Sequence, residues 1–130
     1  MARIEGTMHV EEWQEAPYVQ QDDGRKLTKA TVRQRCAGGL EGTMTTEYLM
    51  AYRADKTADY VGLQRIEGAI GDKRGGFVAR LVGGYDGTLA RGELTIVPGS
   101  GTGDFAGITG RGEFAAPHGP QGTYSFEYTL

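Results

Sequence analysis

Apolar and polar residues alternate with a period of two along most of the chain. Between positions 40 and 52, one parity holds the apolar residues Leu40, Met44, Tyr48, Met50 and Tyr52. The other parity holds Glu41, Thr43, Thr45 and Glu47. The last segment repeats the pattern, with Tyr124, Phe126, Tyr128 and Leu130 separated by polar residues. This alternation is typical of antiparallel strands with one buried and one solvated face.

Turn-forming residues interrupt the alternation at regular intervals. They stand at Asp22-Asp23-Gly24, Gly38-Gly39, Ala54-Asp55-Lys56, Gly71-Asp72-Lys73, Asp86-Gly87, Pro98-Gly99-Ser100-Gly101 and Pro117-His118-Gly119-Pro120. The intervening segments predict strands near 3–13, 27–37, 40–53, 59–70, 75–84, 88–97, 110–116 and 122–130. Short strands with hairpin links and no helical periodicity predict an all-β barrel or sandwich.

Glycine favours the barrel over the sandwich. The chain has 22 glycines in 130 residues. Several stand inside predicted strands, where glycine weakens a sheet unless the sheet must bend sharply. These are Gly6, Gly42, Gly62, Gly68, Gly83 and Gly92. Closed sheets use such kinks, so we predict an eight-stranded antiparallel β-barrel formed by a single domain over residues 1–130.

The segment from Ser100 to Gly110 is the one departure from the strand pattern. Ser100 or Thr102 is suited to cap a helix, because its hydroxyl accepts a backbone N–H bond. We therefore predict one short helical turn near 101–108, with Phe105 and Ile108 turned into the barrel.

Charge and cysteine content exclude several classes of protein. Fourteen basic and 17 acidic residues give a net charge of −3, without the basic surplus that nucleic-acid and anionic-membrane binders need. Cys36 is the only cysteine, so no internal disulfide forms. No apolar run reaches about 18 residues, and the first residues lack a signal-peptide pattern. We predict a cytoplasmic protein that does not bind nucleic acid or membranes.

The stretch from Val97 to Gly112, with its Ser-Gly-Thr-Gly and Gly-Ile-Thr-Gly pieces, resembles a bacterial family of unknown function. Known members of that family are similar to the allene oxide cyclase barrel. Supporting segments are Trp13–Pro17, Leu49–Tyr52, Tyr60–Leu63 with Glu67-Gly68, Gly76–Val78 and Tyr124–Tyr128. The resemblance implies an eight-stranded barrel with a cavity, assembled as a homo-oligomer of two or more chains. It also implies a cofactor-independent cyclase or isomerase role as one option.

Familiar catalytic motifs do not account for a function. The glycine-rich loop lacks the Gly-Lys-Ser/Thr of a phosphate-binding loop, and Asp104 would repel phosphate. The histidines, His9 and His118, are 109 positions apart, and no cluster of ligands predicts a metal. Cys36 has the pattern of a small buried residue rather than of a nucleophile. We predict no metal and no cofactor.

Polar residues that share parity with apolar neighbours, and the aromatic and apolar residues that would wall the lumen, are the best candidates for a ligand site. They are Trp13, Gln34, Met44, Tyr48, Tyr52, Gln64 and Phe77. Glu47 and Glu67 are further candidates for proton transfer, if a bulge turns either of them inward. We predict a barrel that binds a small apolar molecule and cyclises or isomerises it. The alternative is a non-catalytic carrier, or an interaction protein that acts through its oligomer surface.

Overall fold

The described residues of the chain, 1–117 and 120–130, form strands and turns. In this computed structural model the strands are β1 Ala2–Gln20, β2 Lys26–Gly38, β3 Glu41–Tyr52, β4 Ala58–Ile70, β5 Lys73–Tyr85, β6 Leu89–Ile96, β7 Thr102–Gly103, β8 Thr109–Pro117 and β9 Gln121–Thr129. Two residues of the turn predicted at 117–120, His118 and Gly119, lie outside the described residues.

The strands close into an eight-stranded antiparallel barrel, as the sequence predicts. The sheet runs β4-β3-β2-β1-β9-β8-β6-β5, and a further ladder between β4 and β5 closes the ring. The short β7 adds to the edge of β5 through Gly75 and Gly76. The described residues contain no helix that is long and apolar enough to cross a membrane.

Strand β1 is longer than predicted and is irregular. Its ladder with β9 covers Ala2 to His9, whereas its ladder with β2 continues to Gln20. Register shifts occur between Val10 and Glu12 and again between Pro17 and Val19. A bulge inserts an unpaired residue and turns the following side chains to the opposite face. The predicted strand, 3–13, runs past the first of these shifts and ends seven residues before the observed end of β1 at Gln20.

The apolar parity faces the interior of the barrel. Leu40, Met44, Tyr48 and Met50 are buried, together with partners of the same parity on the neighbouring strands. Phe77 lies near the centre of this core and makes edge-to-face contacts with Phe105 and Phe126, each with ring centroids 5.8 Å apart. Such pairs add about 0.5–1.5 kcal/mol beyond the burial of area.

The predicted helical turn is wrong in form, although Phe105 and Ile108 are buried as expected. The segment is β7 followed by successive turns, with bonds from Phe105 N to Thr102 O and from Ile108 N to Phe105 O. Gly103 and Gly107 have φ of 59° and 85°, in the left-handed region. Those angles break a right-handed helix, so the segment closes one barrel end as a compact loop.

Aromatic rings lie over the interior glycines of neighbouring strands. A Cβ atom at Gly92 would collide with the ring of Phe114, and one at Gly6 would lie 2.6 Å from the Tyr124 hydroxyl oxygen. Each of these glycines pairs directly with the aromatic residue above it. Gly6 and Gly92 therefore make room for aromatic side chains in a narrow barrel.

Candidate ligand-binding site at the barrel mouth

The end of the barrel opposite the 97–108 loop carries a polar and aromatic cluster. Its members come from the second half of β1 and from the neighbouring ends of β2 and β3. We call this group the mouth cluster, and it consists of Trp13, Glu15, Thr28, Tyr48 and Tyr52. The register shift after Val10 directs Trp13 and Glu15 to the inner face, because they pair with the buried Val32 and Ala30.

Glu15 is the acidic group at the mouth. Its Oε2 atom accepts hydrogen bonds from Thr28 Oγ1 and from the Tyr52 hydroxyl, both at 2.7 Å. Its Oε1 atom accepts a bond from Trp13 Nε1 at 3.0 Å. Burial by itself raises the pKa of the Glu15 carboxyl. The three hydrogen bonds and the charge of Lys26 together outweigh burial and hold that pKa below its usual value of 4.5.

Aromatic rings form the wall beside this carboxylate. Trp13 stacks on Tyr48 with ring centroids 6.4 Å apart, and Tyr48 meets Tyr60 edge to face at 5.3 Å. Trp13 is 50% exposed, whereas Tyr48 is 7% exposed. The Lys26 ammonium lies 4.7 Å from the centre of the Tyr52 ring. The cluster thus runs from a solvent-accessible indole to a buried phenol.

The tyrosine hydroxyls near the mouth are held in their protonated form. Burial raises the pKa of Tyr48, and the neighbouring Tyr60 raises it further. Burial and the hydrogen bond to Glu15 raise the pKa of Tyr52. The pKa of Tyr60 is raised to about 12, mainly by burial. At neutral pH these hydroxyls are therefore donors or neutral acceptors, and Glu15 is the ionised member of the cluster.

Deeper in the barrel, two glutamine side chains carry unpartnered oxygens. The Oε1 atoms of Gln34 and Gln64 are buried and have no hydrogen-bond partner among the described residues. Gln64 Nε2 donates to Thr46 Oγ1 at 3.2 Å. Gln34 and Gln64 are 7% and 1% exposed. The core below the mouth cluster thus contains Gln34, Thr46 and Gln64 among mostly apolar side chains.

The structure brings most of the predicted site residues to one interior. Gln34, Met44, Tyr48, Gln64 and Phe77 are buried on the inner face, and Trp13 and Tyr52 lie at the mouth.

Glu47 and Glu67 do not face the lumen, contrary to the option considered from the sequence. Both carboxylates are exposed on the outer wall, where Glu47 accepts a bond from Thr31 and Glu67 pairs with Arg65. Both residues lie in strands whose pairing has no register shift, so no bulge turns either of them inward.

A family model described as "Protein of unknown function (DUF3224)" matches residues 4–128. The chain belongs to the DUF3224 family. A crystal structure of a DUF3224 protein of unknown function from Shewanella oneidensis MR-1 is similar, with 25% identity and a TM-score of 0.78. The similarity covers 100% of this chain and 98% of that chain. A comparison with curated proteins gives no match.

Sequence reasoning missed Glu15 as a site residue in this DUF3224 chain. Glu15 lies beyond the predicted end of the first strand, so its face was not assigned. The sequence feature that could have revealed the inward face of Glu15 is the acidic pair Glu11-Glu12, which interrupts the alternation of β1 just before Trp13. Two consecutive polar residues in an alternating strand are typical of a bulge.

The outer wall carries a separate open concavity of about 1340 Å³. Side chains of β1, β5, β6, β8 and β9 line it. Arg3, Arg91, Glu5 and Glu113 give it both signs of charge. The described residues contain no group of three or more histidine, cysteine or acidic side chains that could hold a metal ion.

The lowered pKa of Glu15 predicts that this residue stabilises the fold at neutral pH and not in acid. Its pKa is lowered on folding from 4.5, so its stabilising effect is present above that pH and is lost as the pH falls through the lowered value. We expect Glu15→Gln to lower the Tm at pH 7, with the difference from wild type shrinking below about pH 4.5. Thermal melts from pH 3 to pH 8 measure this.

The matched control for that melt series is Glu113→Gln, at an exposed position on the outer wall of β8. An exposed substitution of this kind changes stability by about 0.5 kcal/mol or less. A Glu15→Gln difference that stays constant across the pH series would contradict the lowered pKa.

Proposed function

We propose that this DUF3224 barrel binds a small, mostly apolar molecule that carries at least one hydrogen-bond donor. The observation that supports the proposal is the pair of buried, unpartnered carboxamide oxygens of Gln34 and Gln64. A buried acceptor without a partner destabilises a fold by about 1–3 kcal/mol. A ligand that donates a hydrogen bond would supply the missing partner of these carboxamide oxygens.

The hydrogen-bond acceptors at the site specify the chemistry of the ligand. Gln34 Oε1, Gln64 Oε1 and the Glu15 carboxylate are all acceptors. The surrounding wall is aromatic and aliphatic, with Tyr48, Met44 and Phe77 among its members. An apolar molecule with an amine, amide or hydroxyl hydrogen fits this combination better than an anion does, because an anion would face the Glu15 charge.

The geometry supports binding more strongly than acid–base catalysis. An efficient proton-transfer group has a pKa near the working pH. The pKa of Glu15 is lowered and those of Tyr48, Tyr52 and Tyr60 are raised, so all of them move away from neutrality. A cyclase or isomerase role would then depend on confinement of an already reactive substrate, and a carrier role requires binding alone. The cytoplasmic location stays a prediction.

Titration with N-phenyl-1-naphthylamine tests the proposal. This probe is a neutral, apolar fluorophore with one N–H donor. Trp13 is the only tryptophan and lies at the mouth, so its emission reports on this site. We expect saturable probe fluorescence with a Kd of about 1–10 μM, which corresponds to roughly −7 to −8 kcal/mol. Trp13 emission should fall in parallel through energy transfer.

A glutamine pair provides the control for this titration. Gln64→Met removes the buried oxygen with little change of volume, and we expect the probe Kd to rise about tenfold, or roughly 1.4 kcal/mol. Gln14→Met changes an exposed glutamine of β1 and should leave the Kd unchanged. The proposal of a lumen site that includes Gln64 would be refuted if the probe showed no saturable binding. It would also be refuted if both variants changed the probe Kd equally.

A further inference from the structure

The outer wall of β3, β4 and β5 carries an apolar face open to solvent. Its four large members are exposed by 51%, 49%, 54% and 56%, in the order Leu49, Val61, Leu63 and Val82. Direct strand pairing joins Leu49 to Val61 and Val61 to Val82, and Leu63 lies two residues further along β4. These four side chains therefore form one contiguous patch, which we call the β4 face.

Charged residues of opposite sign stand on the two sides of the β4 face. Across five neighbouring strands, the register gives one row that reads Lys29, Leu49, Val61, Val82 and Glu93. The row begins with a cation and ends with an anion, and Val61 stands at its centre.

In the next row along β4, the anion stands on the β3 side and the cation on the β5 side. It reads Thr31, Glu47, Leu63, Arg80 and Thr95. Here the anion and the cation stand on either side of Leu63, and threonines stand at both ends. Both rows are thus centred on β4, and the charges beside Leu63 in the second row have opposite signs.

We propose that a second copy of this chain packs on the β4 face, related by a two-fold axis parallel to β4. Such an axis reverses each row across the interface, because a two-fold contact uses the same patch on both copies. Leu63 then meets its own counterpart, and Leu49 meets the partner's Val82. Opposite charges meet as well, since Glu47 faces the partner's Arg80 in this arrangement.

The other two-fold axis within the interface, across the strands, fits less well. It would bring Val82 against Arg80 and Leu49 against Glu47, which places apolar side chains on charges. Among the ion pairs formed by the described residues, none uses Arg80. Its guanidinium is therefore available to Glu47 of a partner copy.

The composition of the β4 face suits a contact between two copies, because an apolar centre with a charged rim is the usual anatomy of a protein–protein interface.

Sedimentation equilibrium tests the assembly. We expect wild type to have twice the 14.0 kDa mass of the chain. Leu63→Glu places two carboxylates against each other on the axis and should raise the dimer Kd by at least tenfold. Val19→Glu is the matched control, because Val19 is an exposed apolar residue of β1 outside the β4 face. A monomeric wild type, or equal effects of the two variants, would overturn the proposal and leave the face to a different partner.

A charge exchange tests the symmetry without changing the apolar centre. Glu47→Arg and Arg80→Glu should each raise the dimer Kd about three- to tenfold, because each single change opposes like charges across the axis. The double variant should return the Kd to within about twofold of wild type. Failure of the double variant to recover would overturn the assigned axis.

Oxidative cross-linking locates the axis directly. Val61→Cys places a thiol beside its own counterpart, so we expect a covalent dimer after mild oxidation. The native Cys36 is buried, and burial raises its pKa to about 11, so it stays unreactive. Val19→Cys should remain monomeric on a non-reducing gel, and a covalent dimer of Val19→Cys but not of Val61→Cys would overturn the proposal.

Discussion

Gly101→Val is expected to lower the free energy of unfolding by about 3–5 kcal/mol, a size typical of severe steric conflict in a core. A Cβ atom at Gly101 would collide with the carbonyl oxygen of Phe105, and Ile108 closes the space beside it. Both neighbours are buried and belong to the loop that closes one barrel end. A domain stable by about 5–15 kcal/mol would lose much of its stability. Urea unfolding followed by circular dichroism measures this.

Gly99 provides a control that separates crowding from backbone strain. Gly99 has φ of 84°, yet a Cβ there would meet nothing within 4 Å. Gly99→Ala should therefore lose only about 1–2 kcal/mol, the penalty of a left-handed residue. If Gly101→Val kept the wild-type Tm and lost only probe binding, the loop would be part of a ligand site rather than a structural closure.

Gln34→Met is expected to stabilise the protein by about 1–3 kcal/mol, because it removes a buried acceptor that has no partner. Methionine is close to glutamine in shape and adapts to irregular cores. The same change should weaken N-phenyl-1-naphthylamine binding, since it removes one of the acceptors for the probe's N–H. Stability and affinity would then move in opposite directions, as expected for a group retained for binding.

Gln64→Met gives the comparison for this stability effect. Gln64 donates to Thr46, so its replacement loses one hydrogen bond along with the unpartnered oxygen. We expect a smaller gain in stability than for Gln34→Met. A loss of stability in Gln34→Met would mean that Gln34 Oε1 already has a partner in solution, which would remove the main support for the lumen site.

Much of the candidate site could be predicted from the sequence because it lies on regular strands. Gln34, Tyr48 and Gln64 share parity with neighbouring apolar residues, and the uninterrupted ladders of β2, β3 and β4 preserve that parity in the fold. Glu15 could not be assigned in the same way, because a single inserted residue in β1 reverses the faces that follow it. A one-residue change of register moves every later side chain to the other face.

The sequence by itself determined that the chain forms antiparallel strands, where most turns lie and which residues of a regular strand share a face. These properties depend on local alternation and on turn chemistry, which neighbouring residues carry. Only the tertiary structure decided that Trp13, Glu15 and Tyr52 meet at one mouth and that Glu47 and Glu67 lie outside. It also decided that the 101–108 segment is a turn. These outcomes depend on strand register and on contacts between distant segments, such as the 37-residue separation between Glu15 and Tyr52, which a local pattern does not contain.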